Sequence, residues 1–182
     1  LWVYDCSSDS IACITLTGNL IYQIAAPGET ANDVDIEIAA TTFNFAGSTV
    51  TPGQILFVNG ETGTADIYAI DKTTGLVTDS LITDFGVSHV VGGSYHPPRN
   101  TFFLVQDNVP VAAERNKIAE INPLNGDTIN TFLTSSYFNV SFGDIEVSTS
   151  GSLFIVSSDE NDSIAEINPN GTLIQKYELP TA

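Results

Sequence analysis

The stretch KIAEINPLNGDTI, residues 117–129, returns in a close copy as SIAEINPNGTLI at residues 163–174. Its core, IAEI, has weaker copies in IYAI from Ile67 and IACI from Ile11, so the copies begin about every 50 residues. An internal repeat of this length predicts one structural unit per copy, with each unit packed against its neighbours.

Each copy of the core has similar surroundings in the chain. An aromatic and aliphatic run comes before it, as in LWVYD, ILFVNG, TFFLVQD and SLFIVSS, and a turn containing Gly with another apolar run follows it. In three copies a further run comes first: DVDIEIAA, SHVVGGSYH and GDIEVSTSG. The unit therefore consists of four short predicted strands separated by turn residues, and no long stretch has the period of a helix.

Four short strands repeated at this interval predict an all-β fold, a β-propeller of four-stranded antiparallel blades. We place a single propeller over residues 1–182, with blade units at 1–28, 29–85, 86–138 and 139–182. The first unit starts at its second strand. Two arrangements remain open: part of a larger ring, or a complete ring of four blades with one three-stranded blade. A two-sheet β-sandwich would fit some of the strands but would not explain the repeat.

The charge balance limits the partners. The chain has 22 acidic residues against 5 basic ones, and its net charge is −17. Such a chain repels phosphate backbones and anionic lipid, and no apolar run is long enough for a membrane helix. We therefore expect a protein or small-molecule partner, with no nucleic acid and no membrane insertion. The acidity suits an extracellular, cell-surface or periplasmic location, and the lack of any Met indicates a processed chain or an excised domain.

The two cysteines, Cys6 and Cys13, have no CxxC spacing, which argues against zinc. If a hairpin turned at Asp9 and Ser10, the two residues would face each other and could form a disulfide. A pair of buried thiols is the alternative.

Candidate metal ligands come from the predicted first strands, because the first strand of each blade lines the central channel of a propeller. Aligning VDIEI, SHVVG and GDIEV places Asp35, His89 and Asp144 at one level. Glu37 and Glu146 follow two residues later and share the strand face of the two aspartates. Oxygen ligands of this kind suit Ca²⁺, so a calcium ion in the channel is one expectation. A solvated acidic channel mouth without an ion is the other.

Candidate ligand-binding residues come from the ends of the predicted second strands and the loops after them. They are Asp5, Asn59, Glu61, Asp107 and Ser158. The longest connections, around TTFNFAGSTVTPG and NVPVAAERN, add loop surface of the kind on which propellers carry their function.

The run SLFIVSSDENDSIAEINPNGTLIQKYELP resembles the repeats of several propeller families: the gluconolactonase-like group, the NHL and YVTN repeat proteins, and the SdiA-regulated group. The gluconolactonase-like resemblance implies a lactone hydrolase that holds a divalent metal through a Glu, an Asn and an Asp, for which the candidates here are Glu37, Asn59 and Asp144. The other resemblances imply a binding or surface-associated module.

The sequence favours a non-catalytic module, secreted or on a surface, that binds a ligand or protein partner through its loop face, with calcium in the acidic channel. A divalent-metal-dependent lactonase or esterase is the alternative. GGSYH, residues 92–96, differs from a nucleophile elbow because His96 stands at the last Gly position.

Overall fold

Every regular element that the structure describes is a β-strand. The structure is a computed structural model, and it describes residues 1–28, 31–159 and 163–179. Its strands form four antiparallel sheets, each made of strands that follow one another in the chain apart from one inserted hairpin. This is the four-bladed β-propeller arrangement that the repeat predicts.

Each sheet falls within one of the four blade units. The first sheet contains β1 (Trp2–Asp5), β2 (Ser10–Ile14) and β3 (Leu20–Ala25). The second contains β4 (Val34–Ile38), β7 (Ile55–Asn59), β8 (Asp66–Ile70) and β9 (Val77–Ile82), and its inserted hairpin is β5 (Phe43–Phe45) and β6 (Ser48–Val50). The third contains β10 (Val90–His96), β11 (Thr101–Gln106), β12 (Lys117–Ile121) and β13 (Thr128–Leu133). The fourth contains β14 (Asp144–Val147), β15 (Leu153–Val156), β16 (Ser163–Ile167) and β17 (Leu173–Glu178).

The cores lie between successive blades. Along β7, Phe57 packs toward the first blade, while its neighbours Leu56 and Val58 pack toward the third. Along β11, Phe102 packs toward the second blade and Phe103 toward the fourth. Successive side chains of a strand point to opposite faces, so a strand between two neighbours must be apolar at every position. The outermost strands β9, β13 and β17 are mostly exposed.

The turn after each third strand contains the glycine that the repeat predicts, and each has a positive φ. These are Gly18, Gly75, Gly126 and Gly171, with φ of 84°, 71°, 79° and 82°. In the last three blades the turn also packs against the outer strand of the preceding blade. A Cβ on Gly126 would lie 2.1 Å from the Ile82 carbonyl oxygen, whereas one on Gly18, in the first blade, would meet nothing within 4 Å. The repeated glycine therefore serves both the turn and the contact between blades.

The long insertion after β4 is part of the core. Its hairpin β5–β6 buries Phe43, Phe45 and Val50 in the cluster shared by the second and third blades. The amide of Ala46 donates to the carbonyl of Pro123 in the third blade. The hairpin therefore has a packing role, because its alternating aromatic residues cover the space between two blades. A functional role for this segment stays a prediction.

The cysteines form neither a disulfide nor a buried pair. In the first hairpin Asp5 pairs with Ser10 and Trp2 pairs with Cys13, so Cys6 lies in the turn. Cys6 is exposed and Cys13 half-buried, and both thiols are free. The turn comes earlier than expected, which takes the two residues out of register.

The blades have two ends, which we name by the direction of the inner strands β4, β10 and β14. The upper face is the end where these strands begin, and it carries loops 6–9, 31–33, 60–65, 86–89, 107–116, 139–143 and 157–159. The lower face is the end where they finish, and it carries loops 97–100, 122–127 and 148–152. Within the described ranges no helix is long and apolar enough to span a membrane.

Candidate functional site

The inner strands bring four carboxyl groups together. Strand β10 lies between β4 and β14, and at its centre are the small residues Gly92, Gly93 and Ser94. Two carboxyl groups approach from each side. They are Asp35 and Glu37 from β4, and Asp144 and Glu146 from β14. The sequence predicted this meeting of the four acidic residues.

Close approach of the strands depends on the missing side chains of β10. The Gly93 amide donates to Asp35 Oδ2 at 3.1 Å. A Cβ on Gly92 would lie 2.5 Å from Asp144 Oδ1 and 2.9 Å from the Asp144 Cα. Backbone atoms cannot yield to such a contact, so only glycine fits there.

Ser94 joins the two glutamates. Its Oγ lies 3.2 Å from Glu37 Oε1 and 3.2 Å from Glu146 Oε2. It also accepts a hydrogen bond from the Val147 amide at 3.2 Å, and the Tyr95 amide donates to Glu37 Oε2 at 3.0 Å. The hydroxyl therefore connects the second, third and fourth blades at one point.

Burial changes the acidity of these groups because it disfavours the charged form. It raises the pKa of Glu37 to about 8, with the Glu146 and Asp144 charges adding to the shift and the Tyr95 amide and Ser94 opposing it. Burial and the Asp144 charge hold the pKa of Asp35 well above its usual range. Burial raises the pKa of Asp144 to about 6, again helped by Glu146. At neutral pH the cluster retains protons.

His89 does not join this cluster, so its expected place level with Asp35 and Asp144 is wrong. It precedes β10, with a φ of 55°, and its Nδ1 lies 2.8 Å from Asp33 Oδ2 and 3.9 Å from Asp107 Oδ2. The register across the blades explains the error, because Asp35 faces Gly93, four residues after His89. Among the described residues, no three His, Cys, Asp or Glu side chains are placed to hold one metal ion.

The group around His89 contains buried acceptors with unmet hydrogen bonds. Asp107 Oδ2 and Gln106 Oε1 have no partner, and the Nδ1 contact to Asp33 lacks the alignment of a hydrogen bond. Asp33 and Asp107 are almost fully buried. Burial raises the pKa of both carboxyls, and the nearby His89 opposes the shift. Such a group is suited to meeting hydrogen-bond donors or positive charge.

All five predicted ligand-binding residues lie at the upper end of their blades. They are Asp5, Asn59, Glu61, Asp107 and Ser158. Their present bonds are local: Glu61 accepts from the amides of Asn32 and Asp33 at 2.6 and 3.0 Å, and Ser158 donates to the Ser141 carbonyl at 2.8 Å.

Sequence reasoning missed three contributors: Asp33, Ser94 and the Gly92–Gly93 pair. Asp33 opens the predicted run DVDIEIAA, but the alignment of the first strands singled out only Asp35 and Glu37 from that run. A Gly-Gly-Ser run inside an otherwise apolar strand is a usable signal, since glycine within a strand marks close approach of another group.

A pocket of about 310 Å³ opens at the lower end of the inner strands. Its lining combines Glu37 and Tyr95 with apolar residues from all three inner strands and their ends, and with the polar residues Thr41, Ser148 and Thr149. The segments that form it come directly after β4, at the end of β10 and at the end of β14. It lies at the opposite end of the blades from the His89 group.

No protein-family model and no curated protein matches the chain. Solved structures do match it. A protein of unknown function from Bacteroides caccae is similar over 94% of this chain and 54% of its own, with 14% identity and a TM-score of 0.56. A functionally unknown protein from Desulfotomaculum acetoxidans DSM 771 is similar over 93% and 49%, with 17% identity and a TM-score of 0.50. The Dos1 propeller is similar over 94% and 43%, with 11% identity and a TM-score of 0.47.

The chain spans about half the length of the first two of these structures. At such identities the likeness concerns the fold alone. It agrees with the propeller arrangement and assigns no activity.

Proposed function

We propose that the chain is a non-catalytic binding module that takes a positively charged ligand or protein segment on its upper face. The observation that carries this proposal is the gathering of all five predicted ligand residues at that face, beside the buried acceptors around His89. Charged groups of one sign on one surface select partners of the opposite sign and speed their association.

The charges of the upper face support a cationic partner. Its loops and one adjoining strand end carry Asp5, Asp9, Asp33, Glu61, Asp107, Glu114 and Asp159. Against these stand few basic groups, and one of them, Lys117, is already paired with Glu114 at 2.5 Å. An extracellular, cell-surface or periplasmic setting is proposed with this function, because acidity of this degree keeps a chain soluble in a salty exterior.

A peptide-binding experiment tests the proposal. A fluorescent oligolysine peptide should bind the chain at low salt, an oligoglutamate peptide of equal length should not, and added salt should weaken the complex. Asp5→Asn with Asp159→Asn removes two exposed charges from the upper face and should weaken binding about fivefold, or about 1 kcal/mol. The matched control is Asp71→Asn with Asp127→Asn, in turns on the opposite side of their blades. Equal weakening by both pairs would contradict a defined binding face.

The calcium ion remains a separate prediction. Held by Asp35, Glu37, Asp144 and Glu146, it would have to displace the protons that burial keeps on Asp35, Glu37 and, below about pH 6, Asp144. It would also have to draw the carboxyls together, since no three of them, as the structure describes them, are placed around one ion. A thermal melt with Ca²⁺ and then with EDTA decides the matter, because an ion that binds only the folded state raises the melting temperature. An unchanged melting temperature would remove calcium from the proposal.

A further inference from the structure

The first and fourth blades are the two ends of the row of sheets, and each leaves one face without a neighbour. Successive sheets bury a shared core between them. Among the described strands, however, none of the first sheet packs on one of the fourth. The residues on these two uncovered faces can be compared with residues at equivalent positions of the third blade, which has a neighbour on both sides.

The uncovered face of the fourth blade has the composition of a packed one. It consists of Phe154 and Val156 on β15, Ile164 on β16 and Tyr177 on β17, and we call it the fourth-blade end face. The residues at equivalent positions of β11 and β12 are fully buried against the fourth blade; they are Phe103, Val105 and Ile118. Val156, by contrast, is 39% exposed. The repeat therefore places an apolar surface where no described blade covers it.

The uncovered face of the first blade is the counterpart. It consists of Val3 on β1, Ala12 and Ile14 on β2 and Leu20 on β3, and we call it the first-blade end face. The residues at the positions equivalent to the first three are fully buried against the second blade; they are Leu104, Ala119 and Ile121. Val3 is 36% exposed and Leu20 is 58% exposed. This face is apolar as well, and it points in the opposite direction along the row of blades.

The two end faces are the two halves of a contact that the chain already makes between each pair of successive blades. In each pair, the face that corresponds to the fourth-blade end face meets the face that corresponds to the first-blade end face. Within one chain the two end faces do not meet, whereas a second copy presents the matching face to each. Two copies also supply about the length of the similar structures from Bacteroides caccae and Desulfotomaculum acetoxidans, of which one chain spans 54% and 49%.

We propose that two copies of the chain pair head to tail, with the fourth-blade end face of each packed on the first-blade end face of the other. The two contacts are equivalent and close a ring of eight blades, four from each copy. Burial of the apolar residues on both faces drives the pairing.

The charge of the chain separates this proposal from the one for the upper face. Each copy carries a net charge of −17, which opposes the approach of a second copy. Added salt screens this repulsion and should strengthen the pairing, whereas it should weaken the complex with a cationic peptide. The pairing does not rest on the upper face, so either proposal can fail alone.

Sedimentation velocity over roughly a hundredfold range of protein concentration tests the pairing. We expect a species with twice the mass of the 19.4 kDa chain, and its fraction should rise with protein concentration and with added salt. A chain that stays monomeric throughout, or that forms larger assemblies of no fixed size, would overturn the proposal.

Two single variants test which faces take part. Val3→Glu places a charge on the first-blade end face, and Val156→Glu places one on the fourth-blade end face. Each should weaken the pairing at least about tenfold, because a charge that is buried without a partner is costly. Val77→Glu is the matched control, since Val77 is 46% exposed on β9, the outermost strand of the second blade. It adds the same charge and should leave the pairing unchanged.

Mixing the two variants distinguishes head-to-tail pairing from the pairing of like faces. Each variant retains one unchanged end face, so a mixed dimer has one intact contact, and the mixture should associate more tightly than either variant alone. Circular dichroism checks that each variant folds, and Val3→Thr or Val156→Thr takes the place of a glutamate variant that does not. Equal weakening by Val77→Glu, or no gain on mixing, would show that the end faces do not pair in this way.

Discussion

Phe43 of the inserted hairpin stacks on Tyr95 of the third blade, with ring centroids 3.7 Å apart and ring planes at 14°. Phe102 meets both rings edge-on, and Phe45 packs against Phe102. The insertion therefore holds the second blade against the third. Because Tyr95 also lines the lower pocket, the same aromatic group forms part of that pocket's wall.

In the inserted hairpin, we expect substitutions at two neighbouring residues to have very different effects on stability. Phe45→Ala should lower the free energy of unfolding by about 3–5 kcal/mol, because Phe45 is fully buried and its removal leaves a cavity. Asn44→Ala, at the exposed position beside it, should change the free energy by less than about 0.5 kcal/mol. Urea unfolding of both variants measures the difference. Similar values for the two would mean that the hairpin does not pack between the blades.

The repeated turn glycine allows a comparison between two equivalent positions. Gly126→Ala and Gly18→Ala both place a side chain at a positive φ, which costs about 1 kcal/mol. Gly126→Ala should cost at least about 2 kcal/mol more, because its Cβ would lie 2.1 Å from the Ile82 carbonyl oxygen of the preceding blade. The midpoints of chemical denaturation compare them. Equal losses would show that the turn does not touch the preceding blade.

Arg99 and Glu120 form an ion pair in which the Glu120 carboxylate is buried. The guanidinium bonds both oxygens at 2.7 and 2.8 Å, and Thr101 donates to Oε1 at 2.9 Å. Burial alone would raise the pKa of Glu120, but the bonds from Arg99 and Thr101 outweigh it and hold the pKa below its usual value. Removing the arginine would leave a buried charge without its partner.

Arg99→Met should therefore destabilise the chain by about 2 kcal/mol at pH 7, reduced from the fully buried case because Arg99 is 40% exposed. Adding Glu120→Gln should recover part of the loss, since the amide needs no counter-charge. Arg115→Met, the same change on an upper-face loop, is the control and should have little effect. Chemical denaturation of both single variants and of the double variant gives the coupling free energy between Arg99 and Glu120. If the losses of stability from the two substitutions simply added, the two residues would not interact.

The protonated cluster makes stability depend on pH in a definite direction. Glu37 keeps its proton in the folded state up to about pH 8, but in the unfolded chain it loses the proton near pH 4.5. Between these values the folded state binds more protons, so its stability falls as pH rises. The limit for one such group is about 1.4 kcal/mol per pH unit. Asp35 and Asp144 contribute in the same direction, Asp144 up to about pH 6.

We therefore expect the free energy of unfolding to decrease from pH 5 to pH 8. Glu37→Gln should make this decline shallower, above all between pH 6 and 8. Asp71→Asn should leave the slope in this window unchanged, because hydrogen bonds from Thr74 and Thr73 lower the pKa of the exposed Asp71 and its contribution is lost only in acid. Stability curves at several pH values test the expectation. A rise in stability toward pH 8 would show that Asp35, Glu37 and Asp144 are ionised in the folded state.

Much of the fold could be predicted because each blade repeats the same local signals. The IAEI copies, their glycine turns and the apolar second strands are local patterns, and each blade obeys them independently. The meeting of Asp35, Glu37, Asp144 and Glu146 was also predictable, since equivalent positions of inner strands converge. The position of His89 was predicted wrongly because the inner strands of neighbouring blades are shifted along their length relative to one another, so that Asp35 faces Gly93. The sequence pattern within a single strand does not reveal such a shift.

The blade units, the succession of strands within a unit and the excess of negative charge follow from the amino-acid sequence, because they depend on composition and on periods of two residues and about fifty. Which groups touch follows from the packing of the blades: Ser94 lies between two glutamates, His89 lies beside Asp33, and the hairpin of Phe43 lies within the core. Those contacts join residues of different blades, and their distances depend on how neighbouring sheets pack. That packing is set by the side chains and glycines of both blades together, so it cannot be read from either one alone.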